Sequence, residues 1–384
     1  MVEPTARRQT PLRAASKATK SETRQANSRL TLQVVMASGQ TSRADIARQT
    51  GLTRATVSAL VGDLIAEDLL REAGQGESAG GKPPTLLEIN ADARQLIAVD
   101  TSATPFRAAL LTLSADVVAI IEGPDADLQG QQAVDAVADL VATMQARATA
   151  PLLGVGVGTP GVVNEQGCVV EAANLGWRDL PLAGLLSART GLPVHVANDA
   201  HVSAIDEYGR RDDVDSLVVV RVGRGIGAGI VLDGRPYTGD HHAAGEIGHQ
   251  QAAPDGALCR CGRRGCLELV ASMPAIMASA GRDRATPGDL DDSDAGPLAI
   301  AADHLGHAMA NLVAVLDVRH LVLAGPVEAL GPRFLSAVTT ALASRVLPSV
   351  AATLHLSYST AGEDAVLAGA WALVVAEELG VMRR

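Results

Sequence analysis

Aromatic side chains are scarce in this chain, with 2 Phe, 2 Trp and 3 Tyr among 384 residues. Cores must therefore be built from Ala, Val, Leu and Ile. Functions that stack ligands on rings are disfavoured, notably single-stranded nucleic-acid binding and lectin-like sites on Trp platforms. Only four cysteines are present, three of them between positions 259 and 266, which is no disulfide framework. No apolar run approaches the roughly 20 residues of a membrane span, and the N-terminus lacks the continuous apolar stretch of a signal peptide. A cytoplasmic protein without a membrane partner is expected. What the chain does have is 47% hydrophobic residues, enough for substantial cores, and a length that favours two or three domains.

Charge divides along the chain. Residues 1–90 carry a balance of +3, whereas the remainder carries −14. A basic end on an acidic body suggests one module that meets a polyanion and another with a different task. Residues 1–25 show no apolar periodicity and read as a flexible basic arm, for which a merely solvated tail is the plain alternative. Order is expected from about Asn27.

Leu30, Leu32, Val34, Val35 and Met36 predict a first helix stopped at Gly39. Ser42 followed by Asp45 is an N-cap pattern for a short helix ending before Gly51. Thr53 caps another, with Val57, Leu60, Val61, Leu64 and Ile65 on one face. Two helices joined by a tight turn make a helix-turn-helix. The Gly-rich stretch at 74–81 between apolar segments then reads as the tip of a hairpin wing, so residues 26–90 form a candidate winged helix-turn-helix; a three-helix packing subdomain is the competing reading. Thr53, Arg54, Thr56 and Ser58 at the start of the second helix could reach major-groove edges and phosphates. Arg43 and Lys82 are candidates for phosphate contacts that fix register without reading sequence.

Residues 91–384 alternate strands and helices. Short strands at 96–100, 106–113 and 116–121 precede a helix near 131–146, and a coarser repeat follows with strands at 216–222, 227–232 and 320–324 around a helix at 299–316. The pattern predicts an α/β fold of paired lobes with a cleft between them.

The densest chemical signal is Gly245-Glu246-Ile247-Gly248-His249 followed by Cys259-Arg260-Cys261-Gly262-Arg263-Arg264-Gly265-Cys266-Leu267-Glu268. His249, Cys259, Cys261 and Cys266 supply the four N/S ligands of a structural zinc, a closed set that argues against a zinc-activated water. Reduced thiols or a redox switch are the alternatives. Cys168 stands apart and reads as a small buried hydrophobe.

These two segments resemble the signature of the ROK family of bacterial sugar kinases and sugar-responsive repressors. Thr159-Pro160-Gly161, Asn174-Leu175-Gly176-Trp177, Ala197-Asn198-Asp199-Ala200, Gly223 to Gly229 and Leu323-Ala324-Gly325 resemble further family segments in the same order. The resemblance implies a two-lobed actin-like domain over 91–384, with a small lobe at about 95–205, a large lobe at about 206–370 and a C-terminal helix. The preceding winged helix resembles that of ROK repressors. Asn198, Asp199, Glu246, His249 and Glu268 are implied to hold sugar hydroxyls, a role that suits carboxylates, an amide and an imidazole. Read without the family, Asn198-Asp199 is a helix N-cap. His249 would serve zinc with one ring nitrogen and the ligand with the other.

In the family's kinases Asp199 is implied to be the general base. Those kinases carry Asp-x-Gly-Gly-Thr where this chain has Asp100-Thr101-Ser102-Ala103-Thr104-Pro105. Side chains at 102 and 103 and the missing N–H of Pro105 disfavour a phosphate loop. The expected function is therefore a non-enzymatic repressor that binds a duplex operator as a homodimer or homotetramer under control of a sugar effector. An ATP-dependent sugar kinase is the alternative. Trp177 is expected near the cleft.

Overall fold

The computed structural model describes residues 19–77, 83–124, 126–211, 213–282, 290 and 294–381. Helix α1 spans Lys20–Ser38, strand β1 Gln40–Ser42, α2 Arg43–Thr50, α3 Arg54–Ala66, β2 Leu70–Gln75 and β3 Thr85–Ile89. The expected start near Asn27 is corrected: residues 20–25 are the first turns of α1 rather than part of an arm. Thr19 and Glu22 form a reciprocal capping box that sets the start, and Arg24 pairs with Asp63 on α3. Ser42 and Thr53 cap α2 and α3 through the amides of Asp45 and Thr56. Gly51, at φ +70°, ends α2 in the left-handed conformation that the tight turn needs. The strands form a sheet in the order β1-β3-β2, giving a winged helix-turn-helix. Lys82 lies outside the described residues.

The small lobe follows with β4 (Gln95–Asp100), β5 (Arg107–Thr112), β6 (Val117–Glu122), α4 (Gly130–Arg147), β7 (Leu152–Thr159), β8 (Val162–Val163), β9 (Val169–Ala172), β10 (Trp177–Leu180), α5 (Leu182–Thr190) and β11 (Val194–Asn198). Its main sheet is ordered β11-β7-β4-β5-β6, with β8 to β10 as a small antiparallel annex. Trp177 packs in the lobe's core and its indole donates to the Gly130 carbonyl at 2.9 Å, so it is a packing residue rather than part of the cleft wall.

Helix α6 (Asp199–Gly209) leads into β12 (Leu217–Val222), β13 (Ile226–Leu232), β14 (Arg235–Pro236), α7 (Glu268–Ala271), α8 (Met273–Ser279), α9 (Ala295–Leu316), β15 (His320–Ala324), α10 (Gly331–Ala343), α11 (Pro348–Ala351), β16 (His355–Tyr358) and α12 (Ala365–Leu379). The large-lobe sheet runs β14-β13-β12-β15-β16. Among the described residues α9 alone is long and apolar enough to cross a membrane by length and composition. Leu305, Met309 and Val313 on its inner face pack in the large-lobe core, which accounts for that apolarity.

Helices α6 and α12 join the parts. Helix α12 packs on β4, β7 and α6, while α6 also packs on β12 and β13. These contacts are backbone-close. A Cβ at Gly369 of α12 would stand 2.1 Å from the Val202 carbonyl of α6, and one at Gly229 of β13 would stand 2.0 Å from the Ala200 carbonyl. Helix α12 also belongs to the same apolar cluster as the winged helix: Trp371, Val374 and Val375 share it with Val35, Ile46, Val61 and Leu87. Gly369→Ala is expected to destabilise the fold by about 1–3 kcal/mol through overpacking. Thermal unfolding would show this as a loss of several degrees, at roughly 2–4 °C per kcal/mol.

Candidate functional site

A cleft of about 990 Å³ opens between the lobes, and Asn198, Asp199, Glu246, His249 and Glu268 all line it. Asn198 ends β11 and caps α6. Its Oδ1 accepts from the amides of Ala200 and His201, and its Nδ2 donates to the Gly161 carbonyl at 2.9 Å. The amide is thus already committed to the helix and to the small-lobe wall. Asp199 follows as the first residue of α6. Glu246 is pushed up to about 7 by burial and then by Asp199, Glu268 and Glu171, and burial pushes Asp199 up as well. Glu268 opens α7 and is 9% exposed. Such closely spaced acids favour a ligand with hydroxyls to donate.

Sequence reasoning overlooked Arg221, which lies on β12 within the buried run Leu217–Val222. Its Nε donates to Asp199 Oδ2 at 3.0 Å and its Nη2 to Ser102 Oγ at 2.9 Å. The signal was available, because a cation inside a continuous apolar strand requires a buried partner. Asp100 Oδ1 accepts from the amide and hydroxyl of Ser102, at 2.7 and 2.6 Å, and from the Ala103 amide at 3.3 Å. The first turn of the domain therefore directs its amides at its own carboxylate. Arg224, in the glycine loop between β12 and β13, pairs with Asp127 and donates to Thr104 Oγ1 at 3.1 Å.

At the rim, the ligand atoms of His249, Cys259, Cys261 and Cys266 lie within 4.8 Å of one another, a group able to hold a metal ion. The 3.6 Å between Cys261 Sγ and Cys266 Sγ and the 3.7 Å between Cys259 Sγ and His249 Nδ1 approach the edge of about 3.8 Å implied by 2.3 Å Zn–S bonds in a tetrahedron. Without an ion, burial and then the Glu268 hydrogen bond push the Cys259 thiol up; a bound dication would reverse this by favouring the thiolate. His249 turns Nδ1 toward Cys259, while Nε2 lies 3.9 Å from Glu246 Oε2. Nδ1 also lies 3.5 Å from Glu268 Oε1, which accepts from the Cys259 thiol at 2.9 Å, so Glu268 touches the cysteine group as well as the cleft.

On the winged helix, Arg54 and Ser58 are exposed on α3. Thr53 and Thr56 share a 2.9 Å hydroxyl contact as part of the cap. Arg43 pairs with Glu72 of β2 at 3.2 Å. Thr53, Thr56 and Arg43 therefore start with partners, whereas Arg54 extends from the face with no ion pair among the described residues.

Residues 96–377 match the ROK family. The chain belongs to that family. This ROK protein is 26% identical over 372 residues to the xylose repressor of Bacillus spizizenii, covering 93% of this chain and 97% of the relative. It is 32% identical to the glucokinase of Halalkalibacterium halodurans over 311 residues, covering 72% of this chain and 94% of the relative. Among solved structures, a ROK family transcriptional regulator described as a homolog of the E. coli MLC protein shares the fold, with a TM-score of 0.79, 24% identity, and coverage of 94% of this chain and 98% of that one. The first and third likenesses span the winged helix as well as the lobes, whereas the glucokinase spans about the length of the lobes.

Cys261→Ser should abolish stoichiometric metal, measured by elemental analysis of purified protein. Because the cluster carries Glu268 and His249, thermal stability should fall with it. Full metal content in this variant would refute the ligand set.

Proposed function

We propose that this ROK protein is a sequence-specific DNA-binding regulator, a repressor whose operator affinity is set by a sugar or sugar derivative in the cleft. The observation that carries the reading is physical continuity between the two modules. Asp199 begins α6, α6 packs backbone-close on α12, and α12 shares a core with the recognition-helix module. A ligand that favours one lobe arrangement through Asp199, Glu246 and Glu268 would bias the seat of the winged helix, and linkage then changes operator affinity. Similarity to a xylose repressor over nearly the full length supports this reading.

In this reading Arg54 and Ser58, with Thr53 and Thr56 behind them, face the major groove, and Arg43 and Lys82 contact phosphates. Symmetric operator recognition requires a homodimer or a homotetramer, and the protein acts in the cytoplasm. Zinc held by His249, Cys259, Cys261 and Cys266 would supply structural cross-linking of the rim. The chain's own residues would do the recognition: His249 Nε2 faces a ligand hydroxyl, and Asp199, Glu246 and Glu268 accept hydroxyl protons as hydrogen bonds. Asn198 would act chiefly by holding the N-terminus of α6 beside the ligand.

A sugar kinase is the second reading, favoured by Asp199 and by the glucokinase likeness. Against it stand the Ser102 and Ala103 amides, which are directed at Asp100, and the ion pair between Arg221 and Asp199. Incubation with ATP and a hexose panel tests it. The expected result is no turnover; rates of roughly 1–100 s⁻¹ that vanish in Asp199→Asn would establish a kinase.

For the regulatory reading, Asp199→Asn should weaken sugar binding by about 1.5–3 kcal/mol, the cost of losing a hydrogen bond to a charged acceptor, measured by calorimetry. Arg54→Ala should cost about 1–3 kcal/mol of operator affinity at fixed salt and leave sugar binding intact. Unchanged operator affinity would sink the recognition-helix assignment.

A further inference from the structure

Arg221 is 6% exposed on a strand whose other residues are all apolar and buried. A guanidinium in such a place is costly unless it is paired and hydrogen-bonded. Here the pairing crosses the cleft: the large-lobe sheet supplies Arg221, whereas Asp199 opens α6 and Ser102 lies in the turn after β4. Gly325 lies beside the guanidinium at φ +93°, a backbone conformation that favours glycine; a Cβ there would make an ordinary contact with Arg221 Nη1 at 3.5 Å. The fork is unevenly used. Nη2 lies 3.7 Å from Asp100 Oδ2, and both that oxygen and Arg221 Nη1 are buried without a hydrogen-bond partner. What Arg221 grips firmly is Asp199 and Ser102.

We propose that Arg221 is a positioning residue of the cleft, which orients the Asp199 carboxylate and keeps it an acceptor for the hydroxyls of an uncharged polyhydroxy ligand. The proposal rests on the reading of the cleft as a sugar site. Besides Arg221, only the Ala200 amide hydrogen bond favours that state. Burial pushes its carboxyl up most strongly and Asp100 adds to the effect, while the Arg221 charge is the chief opposing influence. Glu246, from the loop after β14, lines the same cleft and is itself pushed up by the Asp199 charge. His201, on the same helix, is turned to the Ala244 carbonyl at 2.8 Å, and burial holds it toward the neutral form. Without Arg221, Asp199 would take up a proton at higher pH and would lose its fixed orientation.

Two measurements test this on the full chain. Calorimetry with D-xylose and D-glucose between about pH 5 and 8 compares wild type, Arg221→Ala and Arg221→Lys. Arg221→Ala should bind at least about tenfold more weakly, in line with a lost charged hydrogen bond, and its acid limb should lie at higher pH than that of wild type. Arg221→Lys should return the limb toward its wild-type position while regaining only part of the affinity, because an ammonium restores the charge but not the fork. Equal affinity and an equal pH profile in Arg221→Ala, or no return of the limb in Arg221→Lys, would overturn the proposal. Thermal unfolding supplies a ligand-free readout: Arg221→Ala should lose more in Tm than the double variant Arg221→Ala/Asp199→Asn, because a lone buried charge is worse than none. Losses that simply add would also overturn it. If wild type binds neither sugar, the sugar-site reading fails for these ligands, while the unfolding comparison still decides whether Arg221 and Asp199 act as a pair.

Discussion

The constraint on which both the cleft and the winged-helix core depend is the contact of α6 with α12. Gly369 lets the α12 backbone approach the Val202 carbonyl, and Gly229 lets β13 approach the Ala200 carbonyl. Interfaces this close have no compliant side-chain layer, so a displacement of α6 must be shared by its neighbours or stored as strain. The N-terminus of α6 carries Asp199 into the cleft, and α12 continues into the winged-helix core. The cleft wall and the winged-helix core are thus attached to one pair of helices.

The second constraint is charge. Asp199, Glu246 and Glu268 converge on the cleft with Asp100 buried behind them, an arrangement that would repel itself without counter-ions. Two devices answer it. Arg221 neutralises the floor from the large-lobe sheet, and the His249–cysteine group offers a seat for a cation at the rim. Glu246 stands between them and is pushed up to about 7. It can therefore exist in both protonation states near neutrality, as a donor in one and an acceptor in the other.

Local signals survived folding well. Ser42, Gly51 and Thr53 marked the helix-turn-helix because caps and turns are decided within four or five residues. The spacing of His249, Cys259, Cys261 and Cys266 identified a cluster whose ligand atoms do converge, since a tight loop cannot carry them far apart. The capping box at Thr19 and Glu22 was equally local and was missed because the basic composition around it suggested a tail. Trp177 shows the opposite error: its neighbours Asn174 and Leu175 line the cleft, yet the indole turns into the small-lobe core.

Composition, caps and ligand spacing were enough to indicate the winged helix, the α/β rhythm and a group able to hold a metal ion, because each depends on short-range geometry. Three features were settled only in three dimensions. Asn198 became a committed N-cap, since its amide meets Gly161 from another strand. Arg221 joined Asp199 and Ser102, which lie on separate segments of the chain. The boundary near residue 90 became a shared core because α12, from the far end of the chain, joins β4, β5 and the winged-helix residues in one apolar cluster. In each case the deciding partner is distant in sequence, and only packing brings it within reach.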